Sequence, residues 1–181
     1  MQKENFYIIS GGPGSGKSTL LEVLTRAGYA TMPEAGRSII RLQQNIGGTG
    51  VPWNDRMLYT ELMLLWELRS YTWACNLPGP VFFDRGIPDL LGYMHICGIT
   101  APTHIQKAAV EYRYAKCVFM APAWPEIYVR DAERKQSWQE ARATCDCMRE
   151  AYVRLGYDIV ELPKADVKER VACVLANIIA I

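Results

Sequence analysis

The chain predicts an α/β fold, a parallel sheet covered by helices on both faces, and three features carry that prediction. Short apolar runs alternate with helix-length stretches from end to end, without a composition shift or internal repeat, the pattern of repeated strand–helix–strand units. The first run, Asn5 to Ser10, is apolar through Phe6-Tyr7-Ile8-Ile9 and ends on glycines, as expected of a central strand buried on both faces. It opens directly into Gly11-Gly12-Pro13-Gly14-Ser15-Gly16-Lys17-Ser18-Thr19 and then Leu20-Leu21-Glu22-Val23-Leu24, a strand, a glycine-rich loop and a helix.

That loop has the makings of a phosphate cradle. For consecutive backbone N–H groups to face one centre the chain must turn through conformations open to residues without a Cβ, and Gly11, Gly14 and Gly16 meet that need. The following helix aims its positive N-terminal end at the same centre. Lys17 is then placed to reach the β and γ phosphates of a nucleoside triphosphate, and the Ser18 hydroxyl to sit on Mg²⁺. Gly11 to Thr19 are the expected nucleotide-binding residues.

The totals set bounds. At 181 residues one domain with a real core is expected. Net charge is +1 with 22% charged residues, which argues against an extended nucleic-acid partner. No stretch approaches the roughly 18 uncharged apolar residues of a membrane span, and Met1-Gln2-Lys3-Glu4 runs straight into the first strand, so a cytoplasmic protein is expected. The six cysteines include no Cys-x-x-Cys pair, which favours reduced thiols used as small hydrophobes.

In order, Lys17 to Arg26 reads as a helix with Leu20, Leu21 and Leu24 on one face, ending near Gly28, and Tyr29 to Met32 as a second strand. Pro33-Glu34-Ala35-Gly36-Arg37 places an acid and a base at the carboxyl end of that strand, where open α/β sheets carry their ligand crevice. Glu34 is a candidate general base, or simply a helix-start acid, while Arg37 and Arg41 are candidates to hold a polar co-substrate. Gly47 to Pro52 reads as a mobile loop or turn. Asn54 or Asp55 caps a long helix to about Asn76, with Leu58, Leu62, Leu65 and Trp66 at core spacing and Trp53 or Trp66 as base-stacking alternatives.

Val81-Phe82-Phe83 is the third strand, closed by Asp84-Arg85-Gly86. An apolar strand ending in Asp supplies a carboxylate for Mg²⁺ opposite the cradle, and Arg85 projects into the same crevice. Ile87 to Cys97 follows as a helix with Asp89 and Tyr93 on one side, Asp89 being a further candidate for substrate contact. His95 and His104 read as packed or surface residues. Thr103 to Ala115 is a helix and Lys116 to Met120 the fourth strand. Arg130 and Arg134, in a basic turn leading into a helix to about Leu155, share a face suited to closing over a triphosphate, so 124–137 is a candidate lid. Tyr157 to Leu162 is the fifth strand. Pro163 after it is a candidate for the adenine side, and Val167 to about Ala180 is the last helix.

Taken together, the glycine-rich loop, Pro33-Glu34-Ala35-Gly36-Arg37, Phe83-Asp84-Arg85-Gly86-x-x-Asp89, Pro125-Glu126-Ile127-Tyr128 and Asp131-x-Glu133-Arg134 resemble the small single-domain P-loop ATPases labelled AAA-type domains. These in turn are similar to nucleoside and nucleotide kinases. The resemblance implies a three-layer α/β/α P-loop sandwich with strand order 2-3-1-4-5. It also implies Lys17 and Ser18 at phosphate and metal, Glu34 as acceptor-activating base, Asp84 and Arg85 in the crevice, and Arg130 and Arg134 in the lid. Gly86 departs from the kinases of deoxynucleosides, which place Ser or a similar residue there, so their specificity does not carry over. The expected activity is Mg²⁺-dependent transfer of the γ-phosphate of ATP to a small acceptor. An ATP-driven switch acting on a protein partner and a polynucleotide-end kinase are the alternatives. No guanine-reading Asn/Thr-Lys-x-Asp series occurs, which favours ATP.

Overall fold

The computed structural model of the chain describes residues 2–127 and 137–179. The elements run β1 (Phe6–Gly11), α1 (Lys17–Arg26), β2 (Ala30–Met32), α2 (Ala35–Asn45), α3 (Arg56–Ala74), β3 (Val81–Asp84), α4 (Ile87–Ile96), α5 (Thr103–Glu111), β4 (Cys117–Ala121), α6 (Trp138–Arg154), β5 (Asp158–Glu161) and α7 (Val167–Ile179). The strands form one sheet in the order β2-β3-β1-β4-β5, every pair parallel. Both the α/β class and the 2-3-1-4-5 order are therefore as expected.

Strand alternation explains the unbroken apolar run of β1. Phe6 and Ile8 point to one face, where they pack with Tyr71 of α3 and with Cys145 and Tyr152 of α6. Tyr7 and Ile9 point to the other, against Leu20 and Leu24 of α1 and Val174 of α7. Because both faces are covered, neither set of side chains can be polar. Phe6, Phe82, Phe83 and Phe119 are fully buried, each removing apolar area worth about 1.5–3 kcal/mol from water.

Helix ends follow the local sequence. Asp55 caps α3 by accepting from the Leu58 N–H at 2.9 Å. Ser137 and Glu140 cap α6 reciprocally, each side chain accepting from the other's backbone N–H. Past the end of α1 the Tyr29 N–H donates to the Leu24 carbonyl at 3.1 Å, turning the chain toward β2.

Two expectations need correction. The inward stripe of α3 is Tyr59, Leu64, Glu67 and Tyr71, whereas Leu65 is 67% exposed and Leu58 also faces out. Leucines occur all around this helix, so they do not mark its phase; the residues that reach the site do. α5 stops at Glu111, short of Ala115, because the Ala115 N–H must donate to the Phe6 carbonyl as the chain enters the sheet. The Gly47 to Pro52 segment, expected as a mobile loop or turn, is a turn held by Gln43, whose Oε1 accepts from the Gly50 N–H at 3.0 Å and whose carbonyl accepts from the Gly48 N–H at 2.8 Å. Among the described residues no helix is long and apolar enough to cross a membrane, and all six cysteines are free thiols.

Candidate active site

The carboxyl ends of β1, β2 and β3 meet where strands 2 and 3 lie on one side of β1 and strands 4 and 5 on the other, the place where open parallel sheets leave a crevice. A cavity of about 770 Å³ occupies it, within the range of small-molecule sites. Its floor is the glycine-rich loop. Gly11 has φ 136°, and a Cβ there would stand 2.2 Å from the Ala121 carbonyl of β4, so only glycine lets the loop leave the sheet at this point. Gly16, at φ 77°, immediately precedes α1. The Gly12 carbonyl accepts from the Ser15 hydroxyl at 2.8 Å and from Lys17 Nζ at 3.1 Å, which fixes the loop from within. Pro13 through Thr19 line the cavity; Gly11 and Gly12 shape the loop from behind.

Above the loop, β3 ends in Asp84 and the chain turns through Arg85, the one non-glycine residue with positive φ (74°) among the described residues. A bulky side chain in the left-handed region is strained, and three contacts hold it there. The Arg85 N–H donates to the Ile9 carbonyl at 3.1 Å, Nε to Glu34 Oε1 at 3.3 Å and Nη1 to Asp89 Oδ1 at 3.2 Å. Glu34 sits just before α2 but makes no side-chain cap there. Its carboxylate turns instead to Arg85 and to Arg37, 3.5 Å away, which decides against the helix-start reading.

Electrostatics follow from this crowding. Burial works against ionisation of Glu34, but Arg85, Lys17 and Arg37 outweigh it and hold the carboxyl below its ordinary value. Asp84 goes the other way, pushed up to about 6 chiefly by burial, with Lys17 opposing and Glu34 assisting. Its buried Oδ1 has no hydrogen-bond partner among the described residues, an acceptor oxygen suited to a cation. Burial and then Arg85 lower the Lys17 pKa, while Asp84, Glu34 and Asp89 draw it back up.

Asp89, expected on the substrate side, lines the cavity and is also held on several sides by the protein. Its two oxygens accept from the Ser10 hydroxyl at 2.5 Å, Arg85 Nη1, the Gly86 N–H at 2.9 Å and the Tyr152 hydroxyl, so its lone pairs are engaged by the protein. It positions Arg85 and ties α4 to β1 and α6. Asp89→Ala leaves a buried guanidinium short of a partner, which typically costs about 3–5 kcal/mol. For a chain of this size the melting temperature falls by roughly 6–20 °C, with Asp89→Asn in between, as read by thermal circular dichroism.

The remaining expected residues divide. Arg37 lines the cavity; Arg41 does not. Pro163 lies back from it, and Ala165, Asp166 and Val167 line the edge in its place, because the loop turns inward only as it enters α7. Trp53 lines the rim and is 60% exposed; Trp66 packs beside Ala35, Ile39 and Tyr59. Arg130 and Arg134 lie outside the described residues.

Sequence reasoning missed Glu67. It is 4% exposed on the inward stripe of α3 and lines the cavity, beside the edge-to-face pair Tyr59 and Tyr93, whose centroids are 5.6 Å apart. Burial first, then the negative charges of Asp89, Asp84 and Glu34, raise its pKa well above the ordinary value. The available signal was an acid one turn before Tyr71 and one after Met63, on a face that is otherwise not charged. An acid whose folded pKa is raised loses native stability as pH climbs past its unfolded value, because the unfolded chain ionises first. Glu67→Gln, uncharged at every pH, therefore raises the melting temperature at pH 8 by about 2–4 °C, the shift corresponding to ~1 kcal/mol, and leaves it unchanged at pH 4. A lower melting temperature at pH 8 would show that the ionised form is the stable one.

With this geometry in place, comparison with known proteins is informative. The model of a family described as an AAA domain matches residues 6–170. No curated protein sequence matches the chain. Among solved structures, deoxyadenosine kinase from M. mycoides with products dCMP and dCDP is similar at TM-score 0.65 and 16% identity, over 97% of this chain and 100% of that one. Thymidylate kinase from Ehrlichia chaffeensis gives TM-score 0.64 and 14% identity, over 98% and 99%. NadR in complex with NAD and AMP-PNP gives 0.63 and 15%, over 98% of this chain and 50% of that one. At these identities the likeness concerns the fold, a kinase-like P-loop sandwich.

Proposed function

Since the chain belongs to this AAA-domain family, we propose that it is a phosphotransferase that moves the γ-phosphate of ATP to a small acceptor. One observation carries the reading. The cavity that the phosphate loop lines extends well past it, being lined also by Tyr59, Tyr93, Ile40, Met63 and Glu67 together with Glu34 and Arg85. Hydrolysis alone needs no such chamber; an acceptor does. The neighbours' nucleoside and nucleotide substrates, named with their structures, are the first class to try.

In this mechanism the loop amides and Lys17 hold the β and γ phosphates. Glu34, kept ionised by Arg85, Lys17 and Arg37, accepts the proton of the acceptor hydroxyl. The acceptor oxygen then bonds to the γ phosphorus as the bond to the β–γ bridging oxygen breaks, and ADP leaves. Arg85, already anchored by Glu34 and Asp89, offsets the negative charge on the transferred group. Ser18, which lines the cavity, and Asp84, which lies just behind the lining residue Arg85, would hold Mg²⁺, which supplies further positive charge on the phosphates; the unpartnered Asp84 oxygen is an acceptor of the kind that role needs. Segment 124–137 would close as the lid of a single nucleotide-binding domain: Trp124 and Ile127 already line the cavity. Six free thiols agree with a reducing compartment such as the cytoplasm.

The test is ADP release from MgATP with a panel of nucleosides, nucleotides, vitamins and sugars. At least one acceptor raises turnover well above the basal rate and is recovered phosphorylated. If none does, and slow hydrolysis accompanies nucleotide-dependent capture of a protein, the chain is a switch.

A further inference from the structure

We propose that Arg170 of α7 is a nucleotide-binding residue whose guanidinium takes two oxygens of the α-phosphate. The proposal deepens the nucleotide-binding reading above and rests on it. Arg170 is 3% exposed, yet its Nε and Nη2 are buried with no hydrogen-bond partner among the described residues. A buried cation with unpaired donors is among the least favourable polar arrangements in a protein, and nothing nearby on its own helix relieves it. The neighbouring acid, Asp166, uses Oδ1 to accept from the Glu169 N–H at 2.9 Å, and its carbonyl accepts from the Arg170 backbone at 3.2 Å.

One end of the guanidinium, Nη1, stands against the phosphate loop. Nη1 would lie 2.5 Å from a Cβ placed on Gly16, so Gly16 is glycine both for its positive φ and to admit this side chain. Arg170 also lines the cavity, beside Gly16, Ile127 and Asp166. The Nε/Nη2 edge offers two parallel N–H groups, the fork that matches two oxygens of one phosphate. An adenine edge alternates acceptor and donor and satisfies only one of them. The loop amides and Lys17 serve the β and γ groups, which leaves the α-phosphate as the anion beside Gly16.

Calorimetry on the full chain with adenosine, MgADP, MgATP and MgGTP, comparing the parent with Arg170→Gln and Arg170→Lys, tests this. Arg170→Gln weakens MgADP, MgATP and MgGTP by the same factor, tenfold or more, and leaves adenosine unchanged; Arg170→Lys, a cation without the fork, restores only part. A loss for ATP that differs from that for GTP would instead make Arg170 a base reader and overturn the proposal. Equal binding by parent and variants overturns it while leaving the nucleotide reading intact. A parent that binds none of the four defeats the nucleotide reading itself, and this proposal with it. Should Arg170→Gln not fold, the Lys variant alone decides, a severalfold uniform loss supporting the α-phosphate contact and none refuting it.

Discussion

Lys17→Ala lowers the affinity for MgATP by about 100-fold or more, equivalent to ~2.7 kcal/mol, while the protein remains folded. Lys17 is buried, and the contact that fixes its ammonium is the Gly12 carbonyl of its own loop. The ammonium is therefore held over the cradle before any phosphate arrives, and its removal loses a charge-assisted contact that needs no rearrangement. The substitution also unbalances the crevice, where Lys17 opposes the rise of Asp84 and helps to hold Glu34 down. Both acids become harder to ionise in the variant, so the loss of turnover exceeds the loss of binding. Calorimetry on folded parent and variant checks the first effect and single-turnover kinetics the second. Equal affinity in the two would remove the phosphate cradle as the organising feature of the chain.

How much of this was legible in the sequence depended on whether the signal was local. The loop Gly11 to Thr19 and the strand ending in Asp84 announce themselves, because turn geometry and strand burial are decided by residues adjacent in the chain. The partners of those residues are not local. Arg85 meets Glu34 across 51 positions and Tyr152 meets Asp89 across 63; neither spacing has a periodicity to detect. For that reason the candidate substrate contact Asp89 could not be read from sequence as the hydrogen-bonding hub beneath Arg85 as well. Glu67 and Arg170 escaped notice for a related reason. Arg170 lies in an amphipathic helix, where a charged residue is assigned by default to the solvent face, and Glu67 in a helix whose apolar residues occur all around and mark no inward face. Only the packing of α3 over the crevice and of α7 against Gly16 turns them inward. Leucine-rich α3 shows the converse error, since its hydrophobic count suggested a phase that the aromatic hydroxyls and Glu67 overrule.

Glu34→Gln separates chemistry from binding more sharply than any other single change. Gln keeps the size of the side chain and an oxygen that can accept from Arg85 Nε, so the guanidinium stays anchored by it and by Asp89. What is lost is the negative charge proposed to receive the acceptor's proton. A positioned general base contributes about 10²–10⁴-fold, and acceptor-stimulated turnover falls by that factor while the affinity for MgATP changes by less than about threefold. Glu34→Asp, ionised but shorter, falls between the two. The pH dependence carries an independent signature. Because Arg85, Lys17 and Arg37 hold Glu34 below its ordinary value, the parent keeps its base through the mildly acidic range and loses activity only at lower pH, whereas the residual activity of the Gln variant shows no limb from this group. The same depressed pKa makes Glu34 a source of stability above its unfolded value that fades as pH falls through the folded one. The melting temperatures of parent and variant therefore converge on acidification. Undiminished acceptor-dependent turnover in Glu34→Gln would take this carboxylate out of the proton's path and leave phosphate positioning by Lys17 and Arg85 as the whole of the catalysis.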